Sequence, residues 1–332
     1  MLGISNLRMF ANSMGHIVIE PLSGYVARPQ LAHLIALPSY ELLVDEQKHH
    51  LHRFNPYSID HFMDSQPDPN FYIPVKSVFL VYEHSLDGKV SRGLIGMLKI
   101  TEDVAIQEHE QIFEDNLNKI KTYFNTVGEQ RFPLMVVSSE EWRVPEPEEY
   151  AISYENVRGD RIKLGWIESD NAIELSGELF LADGHHRWGS LQQLYREGKV
   201  SEALVWLLPP SMVRVRTFKR LVKGLTEQNL IEYFSEGSYA LNIKFRGKEA
   251  KIYMSGNILS LHRQLETFVI NQGGEVFPLS PYEVQNEGIV VEFPDVSLQE
   301  VWDYAREFGT LPPKTTWFEP KMDMGLVRVP LK

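Results

Sequence analysis

An apolar run over residues 179–182 stops at Asp183-Gly184, and His185, His186 and Arg187 follow before a stretch of helical spacing over 188–197. A short apolar run closed by a turn residue reads as a buried strand, and glycine lets the backbone leave that strand sharply. A second apolar run, residues 203–208, comes after the helix and ends at Pro209-Pro210. Strand, glycine turn, helix and strand in this order make an α/β unit, which few all-α or all-β topologies can accommodate.

The same turn carries chemistry. The first amides of a helix have no partner inside it, and they share the positive end of its dipole, so a helix entered through glycine is an anion site. His185, His186 and Arg187 place two imidazoles and a guanidinium there, where positive charge opposes the dipole unless an anion joins it. Gly184 gives a phosphate room to approach the backbone. Asp183 has two readings: a carboxylate that supports Mg²⁺ or orients an imidazole, or a turn acid with only a local structural role.

Elsewhere the chain divides three ways. Residues 1–75 are rich in proline, histidine and aromatics, with Arg28-Pro29, Pro38-Ser39-Tyr40 and Asn55-Pro56-Tyr57 punctuating helical patterns over 30–36 and 42–54, and they predict an irregular lobe. A connector is expected over 64–70. Residues 76–210 open with a hairpin, 78–82 and 93–100 about Asp87-Gly88, and form the expected core. Apolar residues at steps of three and four predict a helix over 106–124, with His109 and Glu110 at or near its first turn. Strands are expected over 132–137 and 161–167. Residues 211–332 alternate short strands with helices over 258–271 and 298–308, an α+β lobe. Its terminal loop carries Lys314, Thr315 and Thr316 after Pro313.

Composition narrows the ligand. A formal charge of -12 repels polyanions across the surface, so nucleic acid is not the expected partner, while a local basic pocket for a small phosphate compound survives. With no cysteine in the chain, thiolate catalysis, disulfides and cysteine-bound metal are excluded. No run is long enough for a bilayer and residues 1–21 lack a signal design, which makes the cytoplasm the expected compartment.

Taken together, the string from Leu179 to Trp188, the upstream His109-Glu110-Gln111 and the terminal Pro313-Lys314-Thr315-Thr316 resemble the free-serine kinases of the ParB/sulfiredoxin-like fold group. The chain also looks like members of a larger bacterial and archaeal family of unknown function that carries the Asp-Gly-His-His-Arg string. The resemblance implies an α+β fold with a ParB/sulfiredoxin-like nucleotide-binding core, ADP or ATP as phosphoryl donor, Mg²⁺, and free L-serine as acceptor. It implies Glu110 as catalytic base, Asp183 near the transferred group or its metal, and Gly184, His185, His186 and Arg187 on the nucleotide phosphates. It also implies that His109, Lys314, Thr315 and Thr316 grip the amino acid. Two departures stand out. Ile112-Phe113-Glu114-Asp115 replaces a basic rim, and Phe218 is only a loose match to an aromatic substrate contact.

Two other classes fit the residues. A nucleotide-sensing module of ParB-like type needs the turn but no base. A metal hydrolase would use His109, His185 and His186 with Glu110 or Asp183, although the helical His-Glu-x-x-His spacing is absent.

Overall fold

Strands Tyr72–Leu86 and Lys89–Lys99 pair antiparallel in register from Leu80↔Ile95 to Leu86↔Lys89. The two residues between them, Asp87 (φ 50°) and Gly88 (φ 75°), both take positive φ, the turn whose twist matches a two-residue hairpin. The computed structural model that shows this describes residues 16–55, 67–102, 104 and 106–332. Pro56 and Tyr57 of the expected punctuation, and residues 64–66 of the expected connector, lie outside the described residues.

The hairpin sits inside a thirteen-stranded sheet. Its main path runs Ile106–Gln107, Leu179–Asp183, Leu134–Ser138, Glu202–Leu208, Lys89–Lys99, Tyr72–Leu86, Leu22–Ala27, Val327–Pro330 and Glu129–Gln130. Leu134–Ser138 and Glu202–Leu208 are parallel neighbours, which requires a crossover, and the helix His185–Arg196 lies on it. Strand Leu134–Ser138 is buried at every position and Leu179–Asp183 at all but its last, so neither shows an alternating pattern. Helix 185–196 packs on helix Glu114–Val127. Gly189 permits this, because a Cβ there would lie 3.3 Å from both Ile112 and Leu117 side chains, and Ser190 Oγ donates to the Leu117 carbonyl at 3.0 Å.

Beyond Thr217 the chain forms a separate five-stranded antiparallel sheet, ordered Lys248–Met254, Tyr239–Phe245, Ile289–Glu292, Lys219–Lys223 and Glu275–Leu279. Helix Leu261–Asn271 covers it with Leu261, Leu265, Phe268 and Val269. Helix Leu298–Phe308 instead turns Val301, Trp302 and Tyr304 into the main core. Among the described residues the fold is mixed α+β, with 26% helix and 39% strand, dominated by the larger curled sheet. No helix among the described residues is long and apolar enough to cross a membrane.

Three expectations change. Residues 1–75 are not merely irregular: His16–Glu20 pairs with Lys89–Lys99, and Leu22–Ala27 joins the main sheet between Tyr72–Leu86 and the terminal strand Val327–Pro330. Interleaved glycine, proline and polar residues hid those strands. The pattern over 42–54 breaks into helices Asp45–His49 and Leu51–Phe54. Most consequential for the site, the helix expected over 106–124 begins only at Glu114. Residues before it are extended, because Ile106–Gln107 pairs with Leu179–Phe180 and Glu110 bridges Leu311.

Candidate functional site

Strand Leu179–Asp183 delivers the chain to Gly184, whose φ of 99° no L-residue adopts freely. A Cβ there would also meet Leu134 Cδ2 at 2.8 Å, so the turn demands glycine twice over. Helix His185–Arg196 starts immediately, has no side-chain cap and carries no acidic residue in its first turn. Its leading amides and dipole therefore border the adjoining space without a capping side chain, and the acids nearby are Asp183 and Glu110. That space is a cavity of about 510 Å³.

The cavity brings together Glu110, Asp183, Gly184, His185, His186, Arg187 and Lys314, all expected from sequence. Glu110 is fixed from the far end of the chain: the Lys314 amide donates to its Oε1 at 2.9 Å. Its Oε2 lies 3.6 Å from His185 Nδ1, beyond hydrogen-bond length. Burial pushes the Glu110 carboxyl up, Asp183 adds to this, and the Lys314 amide and ammonium pull the other way. Burial raises Asp183 too, but Lys321, Arg187 and His185 outweigh it and hold that carboxyl well below the usual range. Asp183 still keeps 46% of its side-chain surface open, and Lys321 Nζ stands 3.4 Å from it. We therefore read Asp183 as an ionised group on an open wall.

The flanking imidazoles are not the cations expected. His185 is 4% exposed and burial pushes it down to about 4, so it is neutral at pH 7. Its Nε2 contacts His109 Nδ1 at 3.1 Å, and His109 Nε2 contacts Thr316 Oγ1 at 3.1 Å. His186 Nε2 accepts from the Phe113 amide at 3.1 Å, which leaves its proton on Nδ1. Arg187 lines the cavity, and three of its five N–H donors go to the carbonyls of Phe132 (3.0 Å) and Pro133 (3.1 Å) and to Asp183 (3.3 Å). Positive charge at the wall comes from Arg131, Arg187, Lys314 and Lys321.

Three expected substrate contacts, and the loose aromatic match Phe218, stand behind the wall. His109 is 2% exposed and packed between Phe180 and Phe318, because its extended segment is pinned to Leu311. Thr315 is buried and donates to the Pro312 carbonyl at 2.8 Å, and Thr316 turns to His109. Phe218 is buried against Leu42 and Trp317. None of the four lines the cavity. The missing basic rim also has a local cause, since Glu114 and Asp115 occupy the first turn of helix Glu114–Val127, where the dipole favours acids.

Sequence reading missed Lys321 and Glu41. Glu41 pairs with Lys314 Nζ on the cavity wall. Lys321 had only a lone lysine after Pro320 as its signal, and Glu41 only the neighbouring Pro38-Ser39-Tyr40 punctuation. The rest of the cavity is largely apolar and aromatic, with Tyr123, Phe124, Phe132, Met135 and Met322 among its walls, joined by the polar or charged Ser39, Asn116, Arg131 and Asp323. Among the described residues, no three histidine or acidic side chains are grouped to hold a metal ion by themselves.

Solved structures offer distant likenesses. SbnI with C-terminal truncation from Staphylococcus aureus is 16% identical with a TM-score of 0.45, over 71% of this chain and 87% of that one. A mutant free serine kinase in complex with AMP is 16% identical with a TM-score of 0.42, over 68% and 88%. A conserved hypothetical protein from Pyrococcus furiosus is 17% identical with a TM-score of 0.36, over 68% and 91%. No curated protein matches the chain. The family described as Protein of unknown function (DUF1015) matches residues 71–297, more than half of the sequence, and the chain belongs to that family.

Proposed function

We propose that this protein is a small-molecule kinase that moves a phosphoryl group from ADP or ATP to the hydroxyl of free L-serine, giving O-phosphoserine. One observation carries the reading: the Glu110 carboxylate, with one oxygen held by Lys314 and the other left toward the cavity, shares that cavity with the uncapped start of helix 185–196. Phosphoryl transfer asks for little else than an anion cradle, charge neutralisation and a base in line with the acceptor. The sequence likeness of the Asp183 to Arg187 string to the free-serine kinases supports the same assignment.

In this reading the amides opening the helix, with Lys321, hold the nucleotide phosphates, and the apolar chamber takes the nucleoside. Glu110 Oε2 accepts the serine proton as Oγ bonds to the terminal phosphorus, and the bond from that phosphorus to the bridging oxygen breaks, releasing AMP or ADP. A raised carboxyl suits this work, being a better proton acceptor than an exposed glutamate. The Glu41–Lys314 pair suits a zwitterion: Lys314 meets the α-carboxylate and Glu41 the α-ammonium. Mg²⁺ fits Asp183, since that ion takes one or two carboxylates and completes its shell with phosphate oxygens and water; bound there it would neutralise phosphate charge. Residues 76–210 are then a ParB/sulfiredoxin-like core, with 1–75 and 211–332 contributing strands and closing the site.

The test is incubation with Mg²⁺, ADP or ATP, and serine, threonine, homoserine or glycerate, followed by mass spectrometry of the products. Phosphorylated serine in wild type and at least about a hundredfold less in Glu110→Gln is the expected result. Absence of a phosphorylated product with every acceptor would remove the kinase reading, and retained nucleotide binding would then favour a sensor.

A further inference from the structure

No residue between Trp206 and Lys314 lines the cavity, so the five-stranded sheet is not part of its wall. Besides a Ser280 hydroxyl on the Glu41 carbonyl (3.3 Å) and the Phe218 amide on the Thr315 carbonyl (3.1 Å), it reaches the site through a buried guanidinium. Arg220, on strand Lys219–Lys223, is 1% exposed and donates through Nε to Glu266 Oε1 at 2.7 Å, on helix Leu261–Asn271. Its NH1 donates to the Lys314 carbonyl at 2.8 Å.

Lys314 is one of few non-glycine residues here with positive φ, at 57°. Such a backbone is strained for a residue with a side chain and persists only where neighbours over-determine it. Its carbonyl is taken by Arg220 and its amide by Glu110, so the strained residue is clamped from both sides. We infer that Arg220 is a positioning residue: it holds the Lys314 backbone in the left-handed conformation that aims the amide at Glu110 and the ammonium at the cavity. The catalytic meaning of this rests on the kinase reading above; the mechanical coupling from the second sheet to Glu110 does not.

Glu110 itself can report the coupling, without any substrate. The charged or titratable groups facing it are His185, Asp183, Lys321 and Lys314, with His109 behind His185. Losing the amide that stabilises the carboxylate should raise the pH at which Glu110 titrates by about one unit. The experiment follows the Glu110 side-chain carboxyl by NMR in protein labelled at glutamate Cδ, with Glu110→Gln to assign the signal. Arg220→Lys keeps the charge but loses the planar fork that serves Glu266 and the Lys314 carbonyl together. It should raise the Glu110 midpoint. Glu266→Ala should raise it as well, whereas loss of a negative charge acting through electrostatics alone would lower it. In a Lys314→Gly background, where positive φ is free, Arg220→Lys should move the midpoint less than half as far. An unchanged midpoint in both folded single variants, a fall in Glu266→Ala, or equal shifts with and without Lys314→Gly would overturn the inference. Turnover is scored separately, so a protein with this coupling and no phosphorylated product would refute the kinase reading alone.

Discussion

Lys314 and Glu110 are 204 positions apart in the chain, and the amide of one donates to the carboxylate of the other at 2.9 Å. The base candidate is thus placed by the C-terminal segment and not by its own neighbours. Its own segment is extended and leaves the side chain free to be aimed.

Removing only the charge of that carboxylate separates chemistry from binding. Glu110→Gln should lower turnover by about 10²–10⁴-fold, the usual scale for a lost general base, while isothermal titration finds nucleotide affinity within about threefold of wild type. A parallel loss of binding would mean that Glu110 holds the ligand instead.

Because the base must be ionised, turnover should rise with pH through the Glu110 titration and then level off. Burial places that limb above the ordinary carboxylate value of 4.5. Lys321 favours the ionised form, so Lys321→Met should move the limb to higher pH in a kcat/KM profile. A limb that stays in place would detach Lys321 from Glu110.

His185 links pH to stability with the opposite groups in play. Its folded-state value is depressed from 6.5 to about 4, so the unfolded chain takes up the proton first as pH falls. Its contribution is intact above about pH 6.5, declines from there and is gone below about pH 4. The full loss is about 3 kcal/mol for a shift of this size. Urea unfolding across this window should show a clearly shallower decline in His185→Gln than in wild type.

Gly184→Ala introduces a Cβ against Leu134 Cδ2 at 2.8 Å and a φ that alanine resists. A cost of about 1–3 kcal/mol in unfolding free energy is expected, with weaker nucleotide binding because the first amides shift. Full stability with full affinity would show that the turn is not held as tightly as its geometry implies.

What could be read from the sequence followed local chemistry. The turn from Asp183 to Arg187 was legible because strand, glycine and helix each announce themselves over a few residues, and the Asp87-Gly88 hairpin for the same reason. Helix Leu298–Phe308 has the limits expected for it, and a capping box of Ser297 and Glu300 stands at its start. Three things stayed hidden because they depend on partners far along the chain. Residues 106–113 have helical spacing, but pairing with 179–180 and with Leu311 overrides it. The charge state of His185 follows from burial, which spacing does not reveal. Lys321 acquires its role only by standing beside Asp183.

A structure determined with a non-hydrolysable nucleotide, Mg²⁺ and L-serine bound would join the turn and the carboxylate in one observation. Phosphate oxygens should lie about 3 Å from the backbone amides of His186 and Arg187, with the serine hydroxyl about 3 Å from Glu110. A nucleotide seated away from the Gly184 turn, or a serine hydroxyl out of reach of Glu110, would contradict the assignment.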